Sequence, residues 1–236
     1  MDKVLDINVI ILAGGLGMRI KSLFPNIPKP LIPVQGKPFI TYIFDQLINF
    51  NIKNVTICIG YNSLKFKAII GNNYKNLKIS YSEEYKPMGT GGALKLIKFE
   101  KNKKKCLILN GDSYVNFNLN SLLKKHNERK SKISVVLSKV LNRSRFGSIV
   151  INNKNEITSF TEKSISHEKG FINAGVYLFN SEVFDEISNK IPYSLELDFF
   201  PKQIGRSLNG FICHGKFIDI GTPISFKKAS QNTFWK

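Results

Sequence analysis

Residues 9–19 read VIILAGGLGMR. Val9, Ile10, Ile11 and Leu12 are apolar without polar alternation, and three of the four are β-branched. Such a run fits a strand covered on both faces, as in a parallel sheet. Gly14, Gly15 and Gly17 follow at once. Without a Cβ they permit positive φ and let backbone N–H groups come close to a ligand. A strand ending in such a loop, with Arg19 as a fixed cation beyond it, is suited to cradle phosphate. Two better-known phosphate loops are excluded: the dinucleotide fingerprint needs glycine where Ile20 stands, and the P-loop's Gly-Lys-Ser/Thr occurs nowhere in the chain. Glycine turns after strands are common, so the loop alone does not decide the function.

The whole chain bounds what that loop can belong to. Its 236 residues, 42% apolar with 18 phenylalanines, supply one substantial core and argue against disorder. No apolar run is long enough to span a bilayer, and the N-terminus, with Asp2 and Asp6, lacks the pattern of a secretion signal. The sequence therefore reads as soluble and cytoplasmic, with no membrane partner. Cys58, Cys106 and Cys213 are widely spaced, and His126, His167 and His214 do not cluster, which argues against a zinc site. The formal charge of +18, from 35 basic and 17 acidic residues, would suit a nucleic-acid partner. Yet only five of the basic residues are arginine, and the chain is also rich in Asn and Ile, a joint bias that an AT-rich genome imposes on solvated positions. The densest run, Lys101 to Lys105, precedes a strand and has no aromatic stacking platform beside it. No nucleic-acid partner is expected.

Periodic segments alternate in the βαβ manner. A helix is expected over Phe39 to Phe50, a strand over Val55 to Ile59, a helix over Ser63 to Ile70 and a strand over Leu77 to Ser82. A second glycine loop then opens a helix near Gly92, and CLILN at 106–110 forms a further strand. This order predicts a Rossmann-like, doubly wound α/β fold with a mostly parallel sheet. After a helix over Leu119 to Arg129 the pattern changes. Ile133 to Lys139, Ser148 to Ile151, Ile157 to Thr161 and the buried run at 173–179 read as a small antiparallel insertion. Asn152 and Asn153 are expected to turn the hairpin, Ser181 to cap a short helix, and Pro223 to open the last helix after a strand at Phe217 to Ile220.

Four strand ends carry polar or glycine signatures, and a parallel sheet brings such ends to one crevice. The first is the opening loop, followed by Lys29 held between Pro28 and Pro30, a rigid frame for a phosphate contact or a proline turn with an incidental lysine. The second is PMGTGGAL at 87–94, with Glu84 just ahead, where small residues let a flat ring lie on backbone and the carboxylate can read a base edge. The third is Asn110-Gly111-Asp112, whose aspartate ends an apolar strand as magnesium ligands on phosphate often do. The fourth is Asp219 between Ile218 and Ile220, an acid that is costly to bury unless paired or metal-bound.

Seven ordered stretches resemble the sugar nucleotidyltransferase family, the nucleoside-diphosphate-sugar pyrophosphorylases: LAGGLGMR, PKP, PMGTGGAL, NGD, Glu162-Lys163, NAGVY and IDIGTP. Met18 departs from the Thr or Ser usual in the first of them. The resemblance implies the nucleotide-diphospho-sugar transferase fold, residues 1–236 as a single domain with a nucleotide half at 1–130 and a sugar-phosphate half at 131–236, and Mg²⁺ as cofactor. It implies that Leu12, Ala13, Gly14, Gly15, Gly17, Arg19, Lys29, Glu84, Pro87, Gly89, Thr90, Gly91 and Asp112 bind the nucleoside triphosphate. Asp112 and Asp219 would hold the metal, Lys163 would grip the sugar phosphate, and Gly147, Glu162, Asn173, Ala174 and Gly175 would line the sugar. Arg19, Lys29, Asp112, Lys163 and Asp219 form the implied catalytic set, in a monomer or homodimer. Glu84 matches the two adjacent donors of guanine better than uracil's donor and acceptor, so GTP is favoured. The preferred acceptor is D-glycero-alpha-D-manno-heptose 1-phosphate, with mannose 1-phosphate or a uridylyl or cytidylyl reaction as alternatives. A catalytically silent nucleotide-sugar-binding regulator is the reading from another class.

Overall fold

A computed structural model describes residues 7–15, 17–60, 62–99, 103–143, 146–161, 168–231 and 235. The opening run forms β1 (Asn8–Leu12). A short ribbon, β2 (Pro33–Val34) and β3 (Lys37–Pro38), leads into α1 (Ile40–Asn49). There follow β4 (Asn54–Ile59), α2 (Ser63–Ile70), β5 (Asn73–Tyr74), β6 (Leu77–Glu83), α3 (Gly89–Lys95) and β7 (Lys105–Asn110). Beyond β8 (Ser113–Val115) and α4 (Leu119–Glu128) lie β9 (Ile133–Val140), β10 (Ser148–Ile151), β11 (Ile157–Thr161) and β12 (Gly170–Asn180). The chain closes with α5 (Phe200–Gln203), β13 (Leu208–Cys213), β14 (Phe217–Asp219) and α6 (Pro223–Ala229).

Among the described residues, one ten-stranded sheet runs β11-β10-β12-β7-β1-β4-β6-β5, with β9 and β13 joined to it through β12. β6, β4, β1 and β7 are parallel, with Ile10 opposite both Thr56 and Ile108. The chain adds β4 and β6 on one side of β1 and then returns to place β7 on the other. That reversal between β1 and β7 is the switch point at which doubly wound sheets bind ligands. β12 lies antiparallel on β7, so the first half of the chain and the second share one sheet.

The unbroken apolar strands make sense against two cores. Val9, Ile11, Ile57, Ile59 and Leu109 pack with Phe44, Phe66 and Leu122 of the helices on one face. Ile10, Cys58 and Ile108 face the other way, onto Ala93, Leu94, Phe199 and Phe200. Alternate residues of one strand thus enter opposite cores, which only a run without polar positions allows. All three cysteines are buried free thiols.

Several sequence expectations shift. The strand at 173–179 extends to Gly170–Asn180, because its whole length is sandwiched between β7, β9 and β10. Ser181 does not cap: it is the first residue of a 3₁₀ turn, Ser181–Glu186, flanked by Asn180 with no side-chain cap. The 151–157 hairpin turns over five residues, with Asn152 Oδ1 accepting from the N–H groups of Lys154 and Glu156. The last strand ends at Asp219, and it pairs with β8 in a separate ribbon. β13, which the sequence reading passed over, pairs parallel with β9.

Candidate active site

The loops at the carboxyl ends of the parallel strands are knitted by backbone bonds. Ala13 N donates to Cys58 O, Gly111 N to Leu12 O and Glu84 N to Ile59 O, each at 2.8 Å. Two chambers open here. One, of about 340 Å³, is lined by Leu12, Ala13, Gly15, Gly17, Arg19, Lys29, Asp112 and Gly221, together with the exposed Met18 and the buried Pro30. The other, of about 280 Å³, has walls from Leu12, Gly14, Gly15, Glu84, Pro87, Gly89, Thr90, Ala93, Asn110 and Asp112. Asp112 borders both, so a ligand that fills both passes the carboxylate.

The first chamber holds the charges. Gly17 has φ +60°, and a Cβ there would stand 3.2 Å from Lys29 Cβ, so the loop closes on the lysine only with glycine. Lys29 opens a single 3₁₀ turn, Lys29–Leu31, is buried, and reaches Asp112 Oδ2 at 2.5 Å. β14 brings in the second acid. Asp219 is in register with Ser113, the residue after Asp112, and Ile220 N donates to Asp112 O at 3.1 Å. Asp219 Oδ1 accepts from Gly221 N at 2.6 Å and from Ser225 Oγ at 3.3 Å. A side chain on Gly221 would fall 2.8 Å from both Lys29 Nζ and Asp219 Oδ1, and 3.5 Å from the Arg19 guanidinium. Asp219, Lys29 and Arg19 therefore meet around one glycine, with Asp112 paired to Lys29, although the extremes of the set are 200 residues apart in sequence.

The second chamber is less charged and has a more apolar wall. Glu84 Oε2 accepts from Met88 N at 3.1 Å, and its Oε1 packs on the Gly14 backbone where a Cβ would collide. Burial pushes the Glu84 carboxyl up from its ordinary pKa, opposed by the Met88 N–H. The glycines of the loop have a neighbour the sequence did not reveal. Gly91 N and Gly92 N donate to Tyr193 O, and a Cβ on Gly89 or Gly91 would strike Tyr193. Small residues here make room for protein; Gly89 and Thr90 also reach the chamber, while Gly91 is not part of its wall.

The expected sugar side is only partly described. Glu162 and Lys163 lie outside the described residues. Gly147 and Asn173 are neighbours, with Asn173 N donating to Gly147 O at 3.3 Å. The amide of Asn173, expected to read sugar hydroxyls, is held within the protein: Nδ2 donates to the Tyr177 hydroxyl and Oδ1 accepts from Gly175 N. The cause is an irregularity in β12 between Asn173 and Tyr177, where Gly175 adopts φ +74°. Ala174 is buried, its carbonyl accepting from Ser113 Oγ. Sequence reasoning gave no role to Asn110, Tyr177, Tyr193 and Glu196, which meet in this wall; Asn110, inside NGD, and Tyr177, inside NAGVY, stood in stretches already singled out.

Two carboxylates, with no group of three His, Cys, Asp or Glu among the described residues, make an incomplete shell for a divalent ion. That donor set fits magnesium, which takes few protein carboxylates and completes its coordination with phosphate oxygens and water.

A doubly wound sheet of this topology is the nucleotide-diphospho-sugar transferase fold. The chain belongs to the nucleotidyl transferase family, which matches its residues 8–234. It is similar to the D-glycero-alpha-D-manno-heptose 1-phosphate guanylyltransferase of Aneurinibacillus thermoaerophilus, 35% identical over 223 residues, 94% of this chain and 96% of that one. The protein of the same name from Campylobacter jejuni is 36% identical over 217 residues, covering 91% and 94%. Among solved structures, HddC from Yersinia pseudotuberculosis complexed with GMP-PN matches with a TM-score of 0.80 at 29% identity, over 95% of this chain and 98% of that one.

Proposed function

We propose that the protein transfers a guanylyl group from GTP to a sugar 1-phosphate, D-glycero-alpha-D-manno-heptose 1-phosphate being the favoured acceptor, and releases pyrophosphate. The observation that carries this is the meeting of Lys29, Arg19 and Asp112 in one chamber, with Asp219 held against its Gly221 wall, beside a second chamber walled by Glu84. The names of the two relatives and of the GMP-PN complex support guanine and heptose.

The acceptor phosphate oxygen is already anionic at neutral pH, so no general base is needed. The difficulty is electrostatic: two anions must approach, with the α-phosphorus in line with its leaving group. Arg19 and Lys29 hold the triphosphate and stabilise the departing pyrophosphate. Asp112 and Asp219 hold magnesium, which supplies charge neutralisation at the α-phosphate. Triphosphate arriving in the first chamber gives the Lys29 ammonium a second anionic partner besides Asp112. Lys163 and Glu162 serve the sugar phosphate and its hydroxyls. The base lies in the second chamber, where Glu84 accepts from the guanine ring N–H and amino group. The enzyme works in the cytoplasm, without nucleic-acid or membrane partners, as a monomer or homodimer.

A panel of four nucleoside triphosphates against heptose, mannose and glucose 1-phosphates tests this reading by pyrophosphate release. GTP is expected to exceed UTP and CTP in kcat/KM by about 10²-fold or more, the discrimination a mismatched polar edge produces. Equal turnover with UTP removes the role given to Glu84, and faster turnover of mannose 1-phosphate moves the acceptor.

A further inference from the structure

One carboxylate joins the base chamber to the strand opposite. Thr90, in the chamber wall, donates its hydroxyl to Glu196 Oε2 at 2.7 Å. The Tyr177 hydroxyl donates to Glu196 Oε1 at 3.0 Å, and Asn173 Nδ2 donates to the Tyr177 oxygen at 2.8 Å. Leu195 N donates back to Thr90 Oγ1 at 2.8 Å. Ser194 caps the segment Leu195–Phe199, accepting from Glu196 N and Leu197 N while donating to Glu196 Oε2 at 3.0 Å. Tyr177 is wholly buried, and burial beside Glu196 pushes its hydroxyl well above the ordinary range, so it stays a donor.

This arrangement exceeds what packing needs. A half-buried carboxylate is costly unless every oxygen is satisfied, and an apolar residue would fill the same space. Here each oxygen takes a hydroxyl from a different part of the fold: Thr90 from the first turn of α3, Tyr177 from β12. Resting on the functional reading above, we infer that Glu196 is a positioning residue: it fixes the spacing between the nucleotide's base loop and the strand that carries Asn173, and so the approach of sugar phosphate to α-phosphorus. Tyr177 is not part of the chamber wall, although its hydroxyl also meets the side chain of Asn110, which is; Glu196 is the group that Tyr177 and Thr90 share.

A double-mutant cycle with Thr90→Val, Tyr177→Phe and Glu196→Ala tests this. Each of the first two lowers kcat by about tenfold, the scale of a sub-ångström misplacement of reacting groups. The double variant is no slower than the slower single one, and in Glu196→Ala neither adds a further loss, because contacts in one network are not additive. Losses that multiply, or that vanish once rates are corrected for the folded fraction, overturn the inference. Wild-type protein that releases no pyrophosphate from GTP defeats the functional reading instead. The bridge is then judged by calorimetric binding of a non-hydrolysable GTP analogue: Tyr177→Phe weakens it, Glu196→Ala erases that effect, and any other pattern overturns the bridge.

Discussion

Glu84 and Gly14 show what one residue can decide. The carboxylate lies where a Gly14 side chain would stand, so the two positions are one device. The clashing atom is the end of a flexible side chain, so Gly14→Ala has a cheap escape: Glu84 swings away. The expected outcome is a thermal midpoint within a few degrees of wild type and a KM for GTP raised about tenfold, as when a base loses a matched polar contact; a melt together with GTP saturation kinetics checks it. A fall in stability with unchanged KM would mean that the carboxylate does not face the base. At this scale the sequence was legible where chemistry is local. Lys29, Asp112 and Asp219 stood out because a proline frame and apolar flanks are unusual company for charge. The bonds of Asn173 to Tyr177 and Gly175 were not legible, because they depend on a positive φ two residues on, which the sequence NAG does not announce.

The elements were legible in proportion to their regularity. α2 and β10 match their expected limits, and β1, β4 and β7 were visible as short apolar runs. The three-residue strands β8 and β14 pair across about a hundred residues, and only β14 was legible beforehand; β8 is too short and the segment Tyr193–Phe199 too irregular to leave a periodic signal. α4 carries a further consequence. His126 is buried with Nε2 at 3.0 Å from Asn180 Oδ1 and Nδ1 at 2.8 Å from Ser134 Oγ. The amide oxygen can only accept, so Nε2 bears the proton and Nδ1 accepts from Ser134. Burial above all, with the Lys105 charge, holds its pKa below the ordinary value, against the Asn180 bond that raises it. A depressed histidine pKa stabilises the fold fully above the unfolded value of about 6.5 and progressively less as pH falls below it. Thermal melts from pH 8 to pH 5 are expected to show falling stability below about pH 6.5, and a flatter profile in His126→Gln. Identical profiles would exclude this histidine as the cause.

At the scale of the molecule, the sheet reversal between β1 and β7 explains why the residues of the site are so scattered in sequence. Each strand end contributes one or two groups, and only the fold assembles them. The charge of +18 is independent of that assembly; most of it belongs to solvated lysines, and among the described residues no helix is long and apolar enough to cross a membrane. The central claim is that Asp112 and Asp219 act together on one divalent ion beside Lys29. The direct measurement is pyrophosphate release from GTP and heptose 1-phosphate, with and without magnesium, in wild-type protein, Asp112→Asn and Asp219→Asn. Turnover that requires magnesium and falls by about 10²-fold or more in each variant is expected from loss of transition-state charge stabilisation. Turnover that persists without a divalent ion, or that survives both substitutions, would contradict it.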